Sequence, residues 1–403
     1  MTERLYYNDS HLLEFDARVI SVGPAGGGRV AVRLDRTAFY PTGGGQPTDT
    51  GTLGAARVVE CVDLEDEGVL HLVEGEPPAE GSRVRGAVDW PRRLDHIQQH
   101  TGQHILSQAF AELFGAETRS FRMTADAAEV DVDLSDPSDE KVERAFDRAN
   151  EVVWADREVI IHRVTPEEAA ALPLRKDSAR PGSLRVIEVA GFDFSPCGGT
   201  HARRTGEVGL LAARQWERAR GLVRVTFVAG GRALADYRRA NRAARRVASL
   251  FSVAREEAPA SAERLQEENK ALLRRLRGLE EVAARAEARE LFEEAARAAD
   301  SGAPRVVARV FDGRDADSLR SLALALAAQE RTVALLGSRD GEAARLVFAR
   351  SADAPGDMNA LMRAACQALA GRGGGRPDMA QGGGRELAKL EEVIAEAGRG
   401  LRA

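Results

Sequence analysis

Seven histidines and three cysteines are few for a chain of 403 residues, and their spacing invites a chemical reading. Residues 96–104 read HIQQHTGQH, which sets His96, His100 and His104 at four-residue steps. A helix turns once in roughly 3.6 residues, so all three imidazoles share one face of a predicted helix. Two imidazoles one turn apart can converge on one ion. Both His96 with His100 and His100 with His104 meet that condition, and all three together span too much helix for one tetrahedral ion. Far along the chain, residues 195–201 read SPCGGTH and supply Cys197 and His201. Thiolate plus imidazole suits zinc, and the two glycines suit a loop that bends around an ion. The plainer readings are a surface or core HxxxH and a cysteine that is only a small buried hydrophobe. The joint occurrence of both pairs favours the metal. A zinc peptidase is excluded, because Thr101 stands where its general-base glutamate belongs.

These residues need elements to carry them. The first ninety or so residues alternate short β-branched runs (ARVISV, GRVAVRLD, ARVVECVDL, GVLHLVE) with glycine, proline and acidic turns, which predicts a small antiparallel barrel or sandwich. The histidines then lie on a long helix that Gly115 terminates. Strand-like AEVDVDL, helical DEKVERAFDRANEVVWA and strands near VIIHRV and LRVIEVAGF complete an α+β domain with helices on one side of a sheet. Within the polar helical stretch that follows, Leu265, Asn269, Leu272, Leu276, Leu279, Ala283 and Ala286 step by four and three. Such a seam pairs with a second copy or packs against its own chain. An α/β pattern returns after Pro304 and ends in the glycine-rich GRGGGRPDMAQGGG and a last helix. The reading is thus an α+β chain of four parts: 1–90 glycine-rich β-barrel, 91–230 zinc-binding α+β domain, 231–300 helical linker with a short coiled coil, and 301–403 α/β domain.

The formal net charge of −6 does not by itself suggest a nucleic-acid partner. The cluster YRRANRAARR at residues 237–246 concentrates positive charge on one predicted helix, as a basic patch or a solvated face. No apolar run reaches the roughly eighteen residues of a membrane span, and the start MTERLYYNDSHLLEF lacks a signal-peptide core, so a cytoplasmic protein is expected. Cys61, Cys197 and Cys366 are too scattered to imply a disulfide framework.

HTGQH followed by CGGTH resembles the paired metal motifs of the editing domain shared by alanyl-tRNA synthetases and free-standing AlaX-type proteins. LDRTAFYPTGGGQPTDTG at residues 34–51 resembles that family's glycine-rich block, and TGEVGLLAARQWERARGLVRVTFVAGGRALADY resembles the end of the editing domain. GGGRPDMAQGGG is similar to the DHH-associated domain that ends the synthetases. The resemblance implies that His100 and His104 pair with Cys197 and His201 as ligands of Zn2+. His96 falls outside that set, where it packs, bonds backbone or faces tRNA. The barrel begins near Met1, where a synthetase would carry its aminoacylation core, so the long free-standing form is the expected relative.

The implied activity is deacylation of mischarged Ser-tRNA(Ala), with Gly-tRNA(Ala) as a second substrate. One small group is worth only about 1–3 kcal/mol of discrimination during charging, so a second site that rewards the serine hydroxyl is needed. Gln103, Thr118 and Ser120 are the candidates for lining that pocket; the plainer reading of Thr118 and Ser120 is ordinary strand or turn hydroxyls. Gly43, Gly44, Gly45 and Gln46 form a candidate loop for the tRNA acceptor end, and equally a tight hairpin turn. Four protein ligands make a closed zinc site, so either one ligand, such as His201, yields or zinc only positions the amino acid. The alternative is a noncatalytic zinc-containing tRNA-binding protein. The remaining partner expectation is a homodimer through the coiled coil or the C-terminal domain.

Overall fold

Six antiparallel strands near the N-terminus close into a barrel, as the β-branched runs lead one to expect. The computed structural model describes residues 2–175, 183–299, 303–341 and 343–401. Its contacts divide the chain into two units, Met1–Leu250 and Phe251–Ala403. Around the barrel the strands run Glu14–Gly26, Arg29–Leu34, Val69–Glu74, Ala56–Asp63, Gly51–Leu53 and Arg83–Val88. Alternate residues such as Val19, Val32, Leu34, Val58 and Val73 fill the interior, which is why the period-two pattern is clear in the sequence.

Helix α1, Trp90–Phe114, follows directly, with Pro91 in its first turn and Gly115 closing it in the left-handed conformation at φ 64°. Its middle is buried all round, and much of what it buries is polar: Gln99, His100, Thr101, Gln103, His104 and Ser107. Helix α2, Asp139–Trp154, packs beside it with Val142, Phe146 and Val153 turned inward. Both cover an antiparallel sheet in the order Leu211–Ala219, Leu222–Ala229, Ala128–Val132, Thr118–Met123. A second sheet, Val159–Val164, Leu184–Val189 and Asp193–Pro196, carries the cysteine loop at its end. The short helix α3, Pro166–Ala170, caps one of its faces through Ala169. Helix α4, Gly230–Phe251, ends the unit.

The stretch 231–300 holds two helices: α4 stops at Phe251, and α5 runs Ala258–Ala298 in the second unit. Along α5 the seam residues Leu265, Leu272, Leu276 and Leu279 are all at least half exposed, and packing within its own unit involves Ala288 and Leu291. The second unit is a three-layer sandwich. Its mixed sheet runs Arg305–Asp312, Thr332–Asp340, Ala343–Arg350, Met379–Gly384, Arg372–Gly375, with only the first pair parallel. The tail of α5 and α6, Ala316–Ala327, lie on one face; α7, Met358–Ala368, and α8, Leu390–Arg399, lie on the other.

Candidate metal centre

α1 presents His100 and His104 from successive turns, and the loop after Asp193–Pro196 presents Cys197 and His201. One ligand atom from each of the four lies within 4.8 Å of all the others. Cys197 Sγ is 3.4 Å from His100 Nε2 and 3.2 Å from His201 Nε2. The loop is held in place by Arg185, which donates to the carbonyls of Cys197 at 2.7 Å and Gly199 at 3.0 Å. Only glycine fits at 199, because a Cβ there would stand 2.1 Å from His100 Cε1.

Each imidazole has its other nitrogen near an oxygen. His100 Nδ1 lies 2.8 Å from Gln46 Oε1, His201 Nδ1 lies 3.2 Å from Thr101 Oγ1, and His104 Nδ1 lies 3.4 Å from Asp193 Oδ2. That leaves one nitrogen of each ring for a common centre, with the outer partner fixing the ring plane, as metal-binding histidines require. Burial opposes ionisation of Cys197. Attraction to His100 and His201, with hydrogen bonds from His100 and His104, outweighs it and holds the thiol pKa well below its ordinary value. Burial pushes His201 down to about 3, against the pull of Cys197. At His104 burial also lowers the pKa, but Asp193 and Cys197 prevail and raise it. One thiolate and three imidazoles fit an ion of borderline softness.

A cavity of about 720 Å³ opens onto His100, His104 and Cys197. Gln103, Thr118 and Ser120 line it, together with Phe121, whose ring lies 5.3 Å from that of His100. Gln103 Nε2 and Thr118 Oγ1 both donate to Ser107 Oγ, at 2.7 and 2.6 Å. Ser120 instead donates to Asp131 Oδ2 at 2.7 Å, and a register shift in the pairing between Thr118 and Ser120 accounts for the different directions. Gly43 and Gly44 reach the cavity wall. The turn they belong to pairs Gly43 with Gln46, with Gly44 and Gly45 both at positive φ. Gly45 backs onto the carbonyl of Phe121, where a Cβ would sit 2.5 Å away.

Gln46 belongs to the same turn, and its side chain points inward toward the cluster. Its side chain is buried; Oε1 faces His100 and the Thr200 N–H, and Nε2 donates to Thr200 Oγ1 at 2.9 Å. Both the oxygen and the nitrogen of the amide are thus bonded within the site. His96 is buried as well, with Nδ1 3.9 Å from Asp49 Oδ1, too far for a hydrogen bond. Gln46, Thr101, Asp193 and Arg185 have roles here that the motifs did not announce. A signal for Asp193 exists: in a strand every second residue shares a face, and Asp193, Ser195 and Cys197 follow that period.

Residues 184–226, which contain Cys197 and His201, match the family described as the threonyl and alanyl tRNA synthetase second additional domain. Residues 302–402 match the DHHA1 domain. The chain is 32% identical to the alanyl-tRNA editing protein AlaX-L of Pyrococcus horikoshii, over 100% of this chain and 99% of that protein. The chain belongs to the AlaX-L family of alanyl-tRNA editing proteins. It is also 34% identical to the alanine–tRNA ligase of Pyrobaculum neutrophilum, over 98% of this chain but 44% of the ligase. With the ligase of Natronomonas pharaonis the identity is 35%, again over 44% of the ligase. The chain thus spans less than half the length of these ligase relatives. Among its described residues no helix is long and apolar enough to cross a membrane.

Proposed function

We propose that this protein hydrolyses the ester between serine and the terminal ribose of tRNA(Ala), with glycine as a second substrate, and that it holds zinc to do so. The observation that carries this reading is the convergence of His100, His104, Cys197 and His201, the first three lining a cavity, in an editing-family chain. Zinc bound by these four residues would supply either polarisation of the ester carbonyl or an anchor for the seryl group. The rest falls to the chain's own side chains. Gln103 and Thr118 offer a serine hydroxyl polar partners that an alanine methyl leaves unpaired, and that difference favours serine. Arg185, which bonds backbone carbonyls rather than a carboxylate, gives the cavity a positive group for the phosphates next to the ester. On α4, Arg238, Arg242, Arg245 and Arg246 extend a basic face suited to the tRNA backbone. The exposed leucine seam of α5 is the surface on which a second copy would pair in a homodimer.

The second reading, a noncatalytic zinc-containing tRNA-binding protein, is favoured by the four-residue ligand set, since closed zinc sites are usually structural. Release of labelled amino acid from Ser-, Gly- and Ala-tRNA(Ala) by zinc-loaded protein separates the two. Loss of serine with alanine spared is expected. Three intact esters, alongside retained tRNA binding, would leave only the second reading.

A further inference from the structure

Asp193 lies outside the four candidate ligands, yet it is buried to 2% exposure beside one of them. Its Oδ1 accepts from Arg175 Nε at 2.8 Å, and its Oδ2 accepts from Ser195 Oγ at 2.9 Å. Arg175 Nη2 also donates to Ser195 Oγ at 2.8 Å, which closes a three-residue ring of bonds. The same Oδ2 faces His104 Nδ1 at 3.4 Å, and that nitrogen is buried with no hydrogen-bond partner among the described residues. A buried ion pair is a weak source of stability, because desolvating both charges offsets most of their attraction. The arrangement makes better sense as a fixed acceptor held in front of an imidazole. His100 and His201 have neutral partners, the Gln46 amide and the Thr101 hydroxyl. Of these three imidazoles, only that of His104 faces a carboxylate among the described residues.

We propose that Asp193 is the positioning residue for His104. It accepts the Nδ1–H, keeps the proton on that nitrogen and so leaves the Nε2 lone pair for the metal position. Arg175 and Ser195 clamp the carboxylate so that it cannot itself swing onto the ion. The strand that delivers Cys197 thereby also sets the orientation of a ligand on α1. This inference rests on reading the cluster as a metal centre; it does not depend on which ester is cleaved.

The test is zinc affinity of the full-length protein by chelator competition, read independently of deacylation. Asp193→Asn is expected to bind zinc about 10–100-fold more weakly, the usual effect of losing such an outer partner. Excess zinc should restore its deacylation, which a merely disrupted cavity would not allow. Unchanged affinity in a folded Asp193→Asn protein would overturn the proposal. A second measurement needs no variant: imidazole nitrogen NMR of the metal-free wild type should find His104 with its proton on Nδ1. Finding it on Nε2 overturns the proposal even if the variant does not fold. Failure of wild-type deacylation with both results as expected would sink the proposed substrate and leave Asp193 in its role.

Discussion

Arg93 and His100 stand two turns apart on α1, and both are buried, but their surroundings differ in kind. Arg93 meets Asp49 through Nε at 3.1 Å and Nη2 at 2.5 Å, and also donates to the carbonyls of Ser10 and Ala38, each at 2.6 Å. Asp49 further accepts the Tyr40 N–H at 2.7 Å. Every charge in that region is answered by the chain itself, and the result joins α1 to the barrel. Around His100 the polar atoms converge on one another: three imidazoles and a thiol turn their lone-pair atoms to one point beside a cavity. Burial of titratable groups therefore does not mark a site. What marks it is bonding that stays incomplete in the folded chain.

Removing a ligand should expose the contrast most sharply. Cys197→Ala is expected to lose zinc binding and deacylation together, by more than the roughly 10–100-fold that an outer partner is worth. The protein should stay folded, and zinc content with turnover checks it. Arg93→Met tests the other region. It strands the Asp49 carboxylate in the interior and should cost about 3–5 kcal/mol in urea unfolding. Zinc affinity of the folded fraction should not change; a variant with wild-type stability would break the comparison.

His96, between the two regions, gives a pH signature. Burial lowers its pKa from 6.5 to about 4, and the opposing pull of Asp49 is the smaller effect. Asp49 is already taken up by Arg93, which agrees with a neutral His96 despite the nearby carboxylate. The folded state therefore resists a proton that the unfolded chain accepts below pH 6.5. Stability contributed by neutral His96 is present above that pH and is lost as pH falls toward 4, by up to about 3 kcal/mol. In His96→Gln this part of the acid sensitivity should vanish, as stability measured at pH 7 and pH 4.5 would reveal. The smallest expected effect is that of Gln46→Leu, which removes the partner of His100 Nδ1. Zinc should bind about 10-fold more weakly, while stability changes only modestly.

Much of the fold was legible because the relevant forces act locally. Period-two runs such as ARVVECVD made barrel strands, and Gly115 ended α1 because a left-handed residue closes a helix at little cost. The stretch 231–300, expected to be helical, holds α4 and α5. The chain leaves α4 after Phe251, where Ser252 takes φ 55°, and becomes α-helical again at Ala258 with Pro259 in the first turn of α5. Thr118 and Ser120 both line the cavity, but their hydroxyls do not bond alike. The shifted strand register sends them to Ser107 and Asp131, and a register shift leaves no trace in residue type.

By itself the sequence determined which side chains could together hold a metal ion. HxxxH on one helix face and CGGTH in one loop follow from helical pitch and from what glycine permits, and both are local facts. The tertiary structure alone decided what those side chains are held by. Gln46, Asp193 and Thr101 reach the three imidazoles from a barrel turn, a short strand and the helix itself, and His96 ends beside Asp49. These partners lie far apart along the chain, and only the packing of barrel, helix and sheet brings their atoms together.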